Sequence, residues 1–292
     1  MWEIRLRRYR RLRLLLEDKR RMPMLGQVSL NSRKAIMEID KIYLGDCLEL
    51  MKEIPDKSID CIICDLPYGT TRNQWDSVIP LDQLWTEYRR ITKPNAAIVL
   101  FSQQPFTSML VMSNQKMFKY EWIWEKDSGT GHLNSKFAPM KIHENICVFS
   151  KSAACYVKDK NKSMVYNPQY RSGKPYKGKG GLLGNGNYDT KWQRVVDTCN
   201  DGEHYFPIDI IKFNRDKEKL HTTAKPVKLF QYLIRTYSNE GDLVLDNCIG
   251  SGTTAIAAIK EKRHFIGMEL NKEYYDIACK RVKNELSNPT LL

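Results

Sequence analysis

No stretch of this 292-residue chain is long and apolar enough for a transmembrane helix. No secretory signal is expected either, because the apolar residues near the start are interrupted by arginines. Metal and disulfide grammar is also missing. The eight cysteines, at positions 47, 61, 64, 147, 155, 199, 248 and 279, show neither disulfide nor zinc spacing, and Cys61-x-x-Cys64 is a lone pair inside a strand pattern. They read as buried thiols of a protein kept in a reducing cytoplasm. The five histidines form no cluster, and His143 falls in a strand-like run, so no metal site is expected. Positive charge, by contrast, is plentiful. The formal net charge is +13, which points to a polyanionic partner. It is unevenly spread: residues 1–36 hold eleven Lys or Arg against three Asp or Glu, a net +8.

The most telling segment is Asp65-Leu66-Pro67-Tyr68-Gly69, which follows the apolar, β-branched run Ile59-Asp60-Cys61-Ile62-Ile63-Cys64. It sets an acid, a backbone carbonyl, a rigid proline and an aromatic at the C-terminal end of a parallel strand, where open α/β sheets bind ligands. The Asp65 carboxylate and the Leu66 carbonyl can each accept one N–H of an exocyclic amine, while Tyr68 offers a ring for stacking. A nucleobase extruded from a duplex is such a ligand. A strand-ending turn that happens to hold a tyrosine is the plainer reading.

Far downstream, the strand-like Asp242-Leu243-Val244-Leu245-Asp246 runs into Asn247-Cys248-Ile249-Gly250-Ser251-Gly252-Thr253-Thr254 and then a helical stretch. Strand, glycine loop and helix make the dinucleotide-binding arrangement. Glu269 lies 19 positions after Gly250 at the end of a second strand, where a carboxylate can bind both ribose hydroxyls. A plain βαβ unit with a glycine turn would share the loop.

Together these stretches resemble the motifs of S-adenosylmethionine-dependent DNA amino-methyltransferases, which carry an Asp-Pro-Pro-Tyr type catalytic motif and a Phe-x-Gly-x-Gly cofactor motif. Here the catalytic motif comes first, by about 180 residues, as in the permuted β group. The resemblance spans about residues 38–285 and thins between 155 and 218. It implies a Rossmann-like α/β fold with a mostly parallel sheet, permuted motif order and an inserted target-recognition region. It gives Asp65, Leu66, Pro67 and Tyr68 to catalysis. It gives Asp46, in Lys41-Ile42-Tyr43-Leu44-Gly45-Asp46-Cys47, to the adenine of the cofactor. Thr223 and Lys225, in His221-Thr222-Thr223-Ala224-Lys225-Pro226-Val227, fall beside the cofactor's methionine end. Asp246, Gly250, Gly252 and Thr253 belong to the cofactor loop, and Glu269 to the ribose. Four positions depart from the pattern: Leu66 and Asn247 stand where prolines are common, Cys248 replaces a phenylalanine, and Thr222 replaces the proline after the histidine.

The implied reaction moves a methyl from a sulfonium to the amine of a flipped base. That lone pair is delocalised into the ring, so the protein must orient the amine and stabilise developing positive charge. Flipping costs a few kcal/mol, which stacking on Tyr68 offsets by ~1–3 kcal/mol. Adenine N6 is favoured because the motif begins with Asp65, where cytosine N4 enzymes usually carry serine; cytosine N4 is the nearest rival. RNA or protein-amide methylation stands further off. A nicotinamide-dependent oxidoreductase would share the glycine loop and Glu269 but leaves Asp65–Tyr68 unexplained. A DNA-binding protein without catalysis is disfavoured by the intact Asp65, Pro67 and Tyr68.

The expected organisation is a basic extension over residues 1–36, a catalytic half over 37–150, a target-recognition region over 151–220 and a cofactor half over 221–292. The extension reads as a disordered tail or as sequence ahead of a natural start at Met37, with a DNA-contacting arm as the alternative. Strands are expected at 41–46, 60–65, Ala96–Phe101, Tyr120–Glu125 and Glu144–Ser150. Helices are expected at Cys47–Glu53, Leu81–Ile91, Val227–Tyr237 and Lys272–Glu285, with a polar loop over Ser128–Met140. Residues 171–194 interleave Gly, Lys and Tyr, so Lys174, Lys177 and Lys179 are expected to contact the phosphates of double-stranded DNA. The family resemblance leaves room for a homodimer and a restriction endonuclease partner, but no stretch of sequence signals either.

Overall fold

Side chains of the segment Ile59–Asp65 alternate between two apolar layers: Cys61 and Ile63 join one cluster, Ile62 and Cys64 the other. A strand buried on both faces needs helices on both sides, which is the physical origin of the three-layer architecture. The computed structural model describes residues 37–69, 77–155, 159, 162–178, 182–183, 193–194, 198–216 and 225–287, all within the unit Ile36–Leu292.

In chain order the elements are β1 (Lys41–Leu44), α1 (Cys47–Met51), β2 (Ile59–Asp65), α2 (Leu81–Ile91), β3 (Thr92–Ser102), α3 (Phe106–Ser113), β4 (Phe118–Thr130) and β5 (Lys141–Phe149). Four short strands follow: β6 (Tyr176–Gly178), β7 (Leu182–Leu183), β8 (Gln193–Arg194) and β9 (Thr198–Asn200). The chain returns to the main sheet with β10 (Ile210–Lys212), then α4 (Val227–Tyr237), β11 (Leu243–Asp246), α5 (Thr253–Lys260), β12 (His264–Glu269) and α6 (Lys272–Ser287). The main sheet runs β1-β12-β11-β2-β3-β5-β4-β10. Every adjacent pair is parallel except the two that involve β5. The expected mostly parallel α/β sheet is therefore present, with one reversed strand.

Residues of α4, α5 and α6 share one apolar cluster with Cys61, Val99 and Trp122. Residues of α2 and α3, with Met51 of α1, share the other with Ile62, Leu100 and Phe149. Phe101 and Phe230 join sheet to helix on the first side, stacked at 5.1 Å and 7°. Two buried polar links brace the layers. Trp122 Nε1 donates to Tyr237 Oη at 2.5 Å, and Tyr88 Oη donates to Asn247 Oδ1 at 2.6 Å.

The structure corrects several expected boundaries. Helix α3 was not expected: Phe106-Thr107-Ser108-Met109-Leu110-Val111-Met112-Ser113 is short and lacks a polar face to mark the helical period. β3 starts at Thr92, directly after α2, rather than at Ala96. β1 stops at Leu44 because Gly45 turns the chain and Asp46 caps α1. β4 runs on to Thr130, which confines the expected loop to residues 131–140.

The Phe101–Phe230 stack fixes α4 to the sheet, and Phe230 is 2% exposed. Phe230→Ala is expected to destabilise the fold by about 3–5 kcal/mol. Urea denaturation of both proteins measures the difference.

Candidate active site

β2 and β11 lie side by side and parallel, with Cys61 opposite Val244 and Ile62 opposite Leu245. The Asp65–Gly69 segment and the glycine loop therefore leave the sheet at the same end. On the outer side, β12 pairs with β1 so that Glu269 stands opposite Leu44, one turn before Asp46. The chain moves outward in opposite directions from the β2–β11 junction, which makes it the topological switch point where open α/β sheets bind ligands. Asp46, Asp65, Asp246 and Glu269 are thus gathered at four strand ends.

Asp65 projects to the same face as Cys61 and Ile63, because strand side chains alternate. Its register partner across β2 and β3 is Phe101, which in turn pairs with Ile146 of β5. One step further along β5, Glu144 faces the same side. Lys225, just before the Pro226 cap of α4, is laid over this face. Its Nζ lies 2.5 Å from Asp65 Oδ2 and 3.3 Å from Glu144 Oε2. Lys126 of β4 completes the series, with Nζ 2.9 Å from Glu144 Oε1. The side chains of Lys225, Glu144 and Lys126 are only 9%, 14% and 7% exposed, so these pairs are shielded from solvent screening. Burial alone would lower the Lys225 pKa, but Asp65 and then Glu144 raise it above the ordinary lysine range. Burial would likewise raise Glu144, but Lys225 and Lys126 hold it below the usual carboxylate range.

Asp65 Oδ1 accepts a hydrogen bond from Tyr68 Oη at 2.6 Å. Burial, then the Asp65 carboxylate, push the Tyr68 phenol well above its ordinary value. Phe106 of α3 covers one face of the Tyr68 ring, stacked at 5.5 Å and 30°. Tyr68 thus brings a braced ring and a hydroxyl that occupies Asp65. The Leu66 side chain is buried in the second apolar layer.

The cofactor half is built around the loop after β11. Gly250 has φ +54° and Gly252 φ +89°, left-handed values that favour glycine. A side chain at Gly250 would meet open space, whereas one at Gly252 would press on Ala278. Gly250 therefore keeps a face of the loop clear, and Gly252 permits close packing of α5 against α6. Glu269 Oε2 accepts from the Gly250 N–H at 2.8 Å, and Oε1 accepts from the Asn271 N–H at 2.7 Å. Burial raises the Glu269 pKa. Asp46 Oδ1 accepts from the Leu48 and Glu49 N–H groups at the start of α1. Asp246 is buried, with its carboxylate taken up by the Cys248 N–H at 3.0 Å and by the Thr254 hydroxyl. Thr253 is the first residue of α5 and is buried.

Lys174 and Lys177 are exposed beside the β6–β9 pair, where Tyr205 Oη donates to the Lys174 carbonyl. Thr223 and Lys179 lie outside the described residues, as does all of 1–36. Sequence reasoning missed Glu144 and Lys126 as members of the ion-pair series through Lys225. Their charge in a strand was a signal, but the partner was hidden because Glu144 meets Lys225 across the sheet face.

An open α/β sheet that brings a glycine loop and an acid–aromatic strand end to its switch point has the arrangement in which such sheets bind nucleotide-like cofactors. A family model described as a DNA methylase, of the N6/N4 methyltransferase type, matches residues 59–280, and the chain belongs to that family. It is 30% identical over 270 residues to the type II methyltransferase M1.MboII of Moraxella bovis, covering 83% of this chain and 96% of that one. It is 28% identical over 264 residues to the DNA adenine methyltransferase YhdJ of Escherichia coli (strain K12), covering 84% and 83%. The crystal structure of an M1.HpyAVI–SAM complex shares the fold with a TM-score of 0.54 at 24% identity, covering 82% of this chain and 98% of that one. This protein is thus a DNA methyltransferase.

Burial pushes the Asp246 carboxyl up to about 7, against an ordinary value of 3.8. The folded state therefore holds a proton that the unfolded state releases, and this contribution to stability is lost as pH rises from about 4 to about 7. Asp246→Asn is expected to flatten that part of the stability profile. Urea titrations of wild type and variant at several pH values check this.

Proposed function

We propose that this enzyme transfers a methyl group from S-adenosylmethionine to N6 of an adenine flipped out of double-stranded DNA. The observation that carries the reading is Asp65 and Tyr68 held together at the end of β2, beside the glycine loop of β11. The residues present fit the cofactor. The loop is open at Gly250, Glu269 is poised at its edge with oxygens that can accept further hydrogen bonds, and Asp46 sits at the neighbouring strand end. Glu269 would hold the ribose, Asp46 the adenine ring, and Thr253 with the Gly250–Gly252 backbone the amino-acid end. Asp246 supports this pocket by fixing the loop. Bound there, S-adenosylmethionine supplies an electrophilic methyl on a sulfonium.

The chain's own residues act on the base. Asp65 accepts one N–H of the target amine and the Leu66 carbonyl accepts the other, which turns the nitrogen lone pair toward the methyl and offsets positive charge as the N–C bond forms. The Tyr68 hydroxyl now on Asp65 Oδ1 must share that oxygen or swing aside when the amine arrives. Pro67 sets the turn that aims the Leu66 carbonyl. The exposed lysines around β6 belong to a target-recognition region over residues 151–220 that follows the DNA backbone. A basic extension over 1–36, which lies outside every motif of the sequence, adds positive charge. The enzyme works in the cytoplasm, where its DNA is, and a second copy or a restriction endonuclease would be its companions.

Four measurements test this. Nucleoside mass spectrometry of DNA from cells expressing the protein should show N6-methyladenine; N4-methylcytosine instead would move the assignment to cytosine. Asp65→Ala is expected to abolish turnover while S-adenosylmethionine affinity stays within a few-fold. Glu269→Ala should do the converse, weakening cofactor binding by about 1.5–3 kcal/mol in calorimetry through the loss of charge-assisted hydrogen bonds. Lys174→Ala combined with Lys177→Ala should weaken DNA binding and reduce its salt dependence, by a slope of about 0.9 for each phosphate that is no longer neutralised.

A further inference from the structure

The charged groups on the Phe101 face alternate in sign from Asp65 through Lys225 and Glu144 to Lys126. We infer that Lys225 is a positioning residue for Asp65, that Glu144 and Lys126 fix it in place, and that it is not a ligand of the cofactor. The inference rests on the methyltransferase reading of the site and assigns Lys225 differently from the sequence resemblance.

The geometry supports this at each step. Asp65 is clamped at both oxygens, Oδ1 by the Tyr68 hydroxyl at 2.6 Å and Oδ2 by Lys225 at 2.5 Å. Two donors on different oxygens fix the plane of a carboxylate, and with it the direction in which it receives an amine. The Lys225 ammonium is enclosed by groups that belong to the base side of the site. Besides Asp65 and Glu144, it stands 5.5 Å from the Phe101 ring centroid and 5.9 Å from that of Tyr68. Its well-formed hydrogen bond goes to Asp65. Glu144 Oε2 lies 3.3 Å from Lys225 Nζ, a longer ion pair than the one to Asp65, while Glu144 Oε1 accepts from Lys126 Nζ at 2.9 Å. Lys126 thereby keeps Glu144 from drawing Lys225 off Asp65. The four charges cancel, as a cluster this buried requires. The remaining titratable groups close to Asp65 are Asp246 on β11 and Cys64 beside it on β2.

Lys225→Met keeps the stem and removes the charge. With unmethylated phage DNA and tritiated S-adenosylmethionine, kcat is expected to fall about a hundredfold, the scale of a misplaced reacting group. Cofactor affinity by calorimetry should stay within threefold. Lys225→Arg should restore part of kcat. Lys126→Met, two links away, should give a smaller loss in the same direction, and it supplies the test if Lys225→Met does not fold. Loss of cofactor affinity with kcat kept at saturating cofactor would make Lys225 a cofactor ligand and overturn the inference. So would an unchanged kcat in a folded variant. Wild-type protein that leaves no methyl on DNA would instead sink the enzymatic reading itself.

Discussion

The hydrogen bonding of β2 to β11 is the constraint on which the site depends. The two strands are far apart in the chain, yet their parallel pairing brings Asp65 and the Gly250 loop to one end of one sheet. Neither segment makes a site alone. In the proposed reaction the acid and tyrosine would address a base, and the loop with Glu269 a cofactor. A long-range parallel pair costs loop-closure entropy that only the completed sheet returns. The apolar layers on both faces of β2 therefore serve the chemistry directly: they hold the junction whose two sides must meet.

Buried charge is the second theme. The Lys225 and Glu144 pairs sit where desolvation is costly, and such pairs are often no better for stability than apolar residues of the same size. Their value lies in direction. An apolar replacement would fill the space over Phe101 but would not orient Asp65. Asp246 shows the same trade: its burial is unfavourable at neutral pH, but its carboxylate ties the Cys248 N–H to the Thr254 hydroxyl and so shapes the loop.

Much of this was legible in the sequence because it is local. The β-branched run before Asp65, the glycines after Asp246 and the amphipathic stretches at Leu81–Ile91 and Val227–Tyr237 each carry their own period or turn signal, and the two helices have the expected limits. Helix α3 carried no such signal, since its apolar residues surround it. Glu144 was hidden for a different reason. Its partner depends on the registers of β2 with β3 and of β3 with β5, which no single segment encodes. Asn247 looked like a mere departure from a motif, whereas it accepts the Tyr88 hydroxyl and links the cofactor loop to α2.

The reversed direction of β5 fixes where its connection to β4 must lie. Two antiparallel neighbours are joined by a turn at the end they share, whereas a parallel successor would have carried the chain back to the opposite end. The turn over residues 131–140 consequently stands at the same rim as Asp65. It displays Leu133 and Phe137, 98% and 89% exposed, with Lys136 and Lys141 and without an acidic residue from 128 to 142. One reversed strand has thus set an apolar, cationic projection on the rim that carries Asp65.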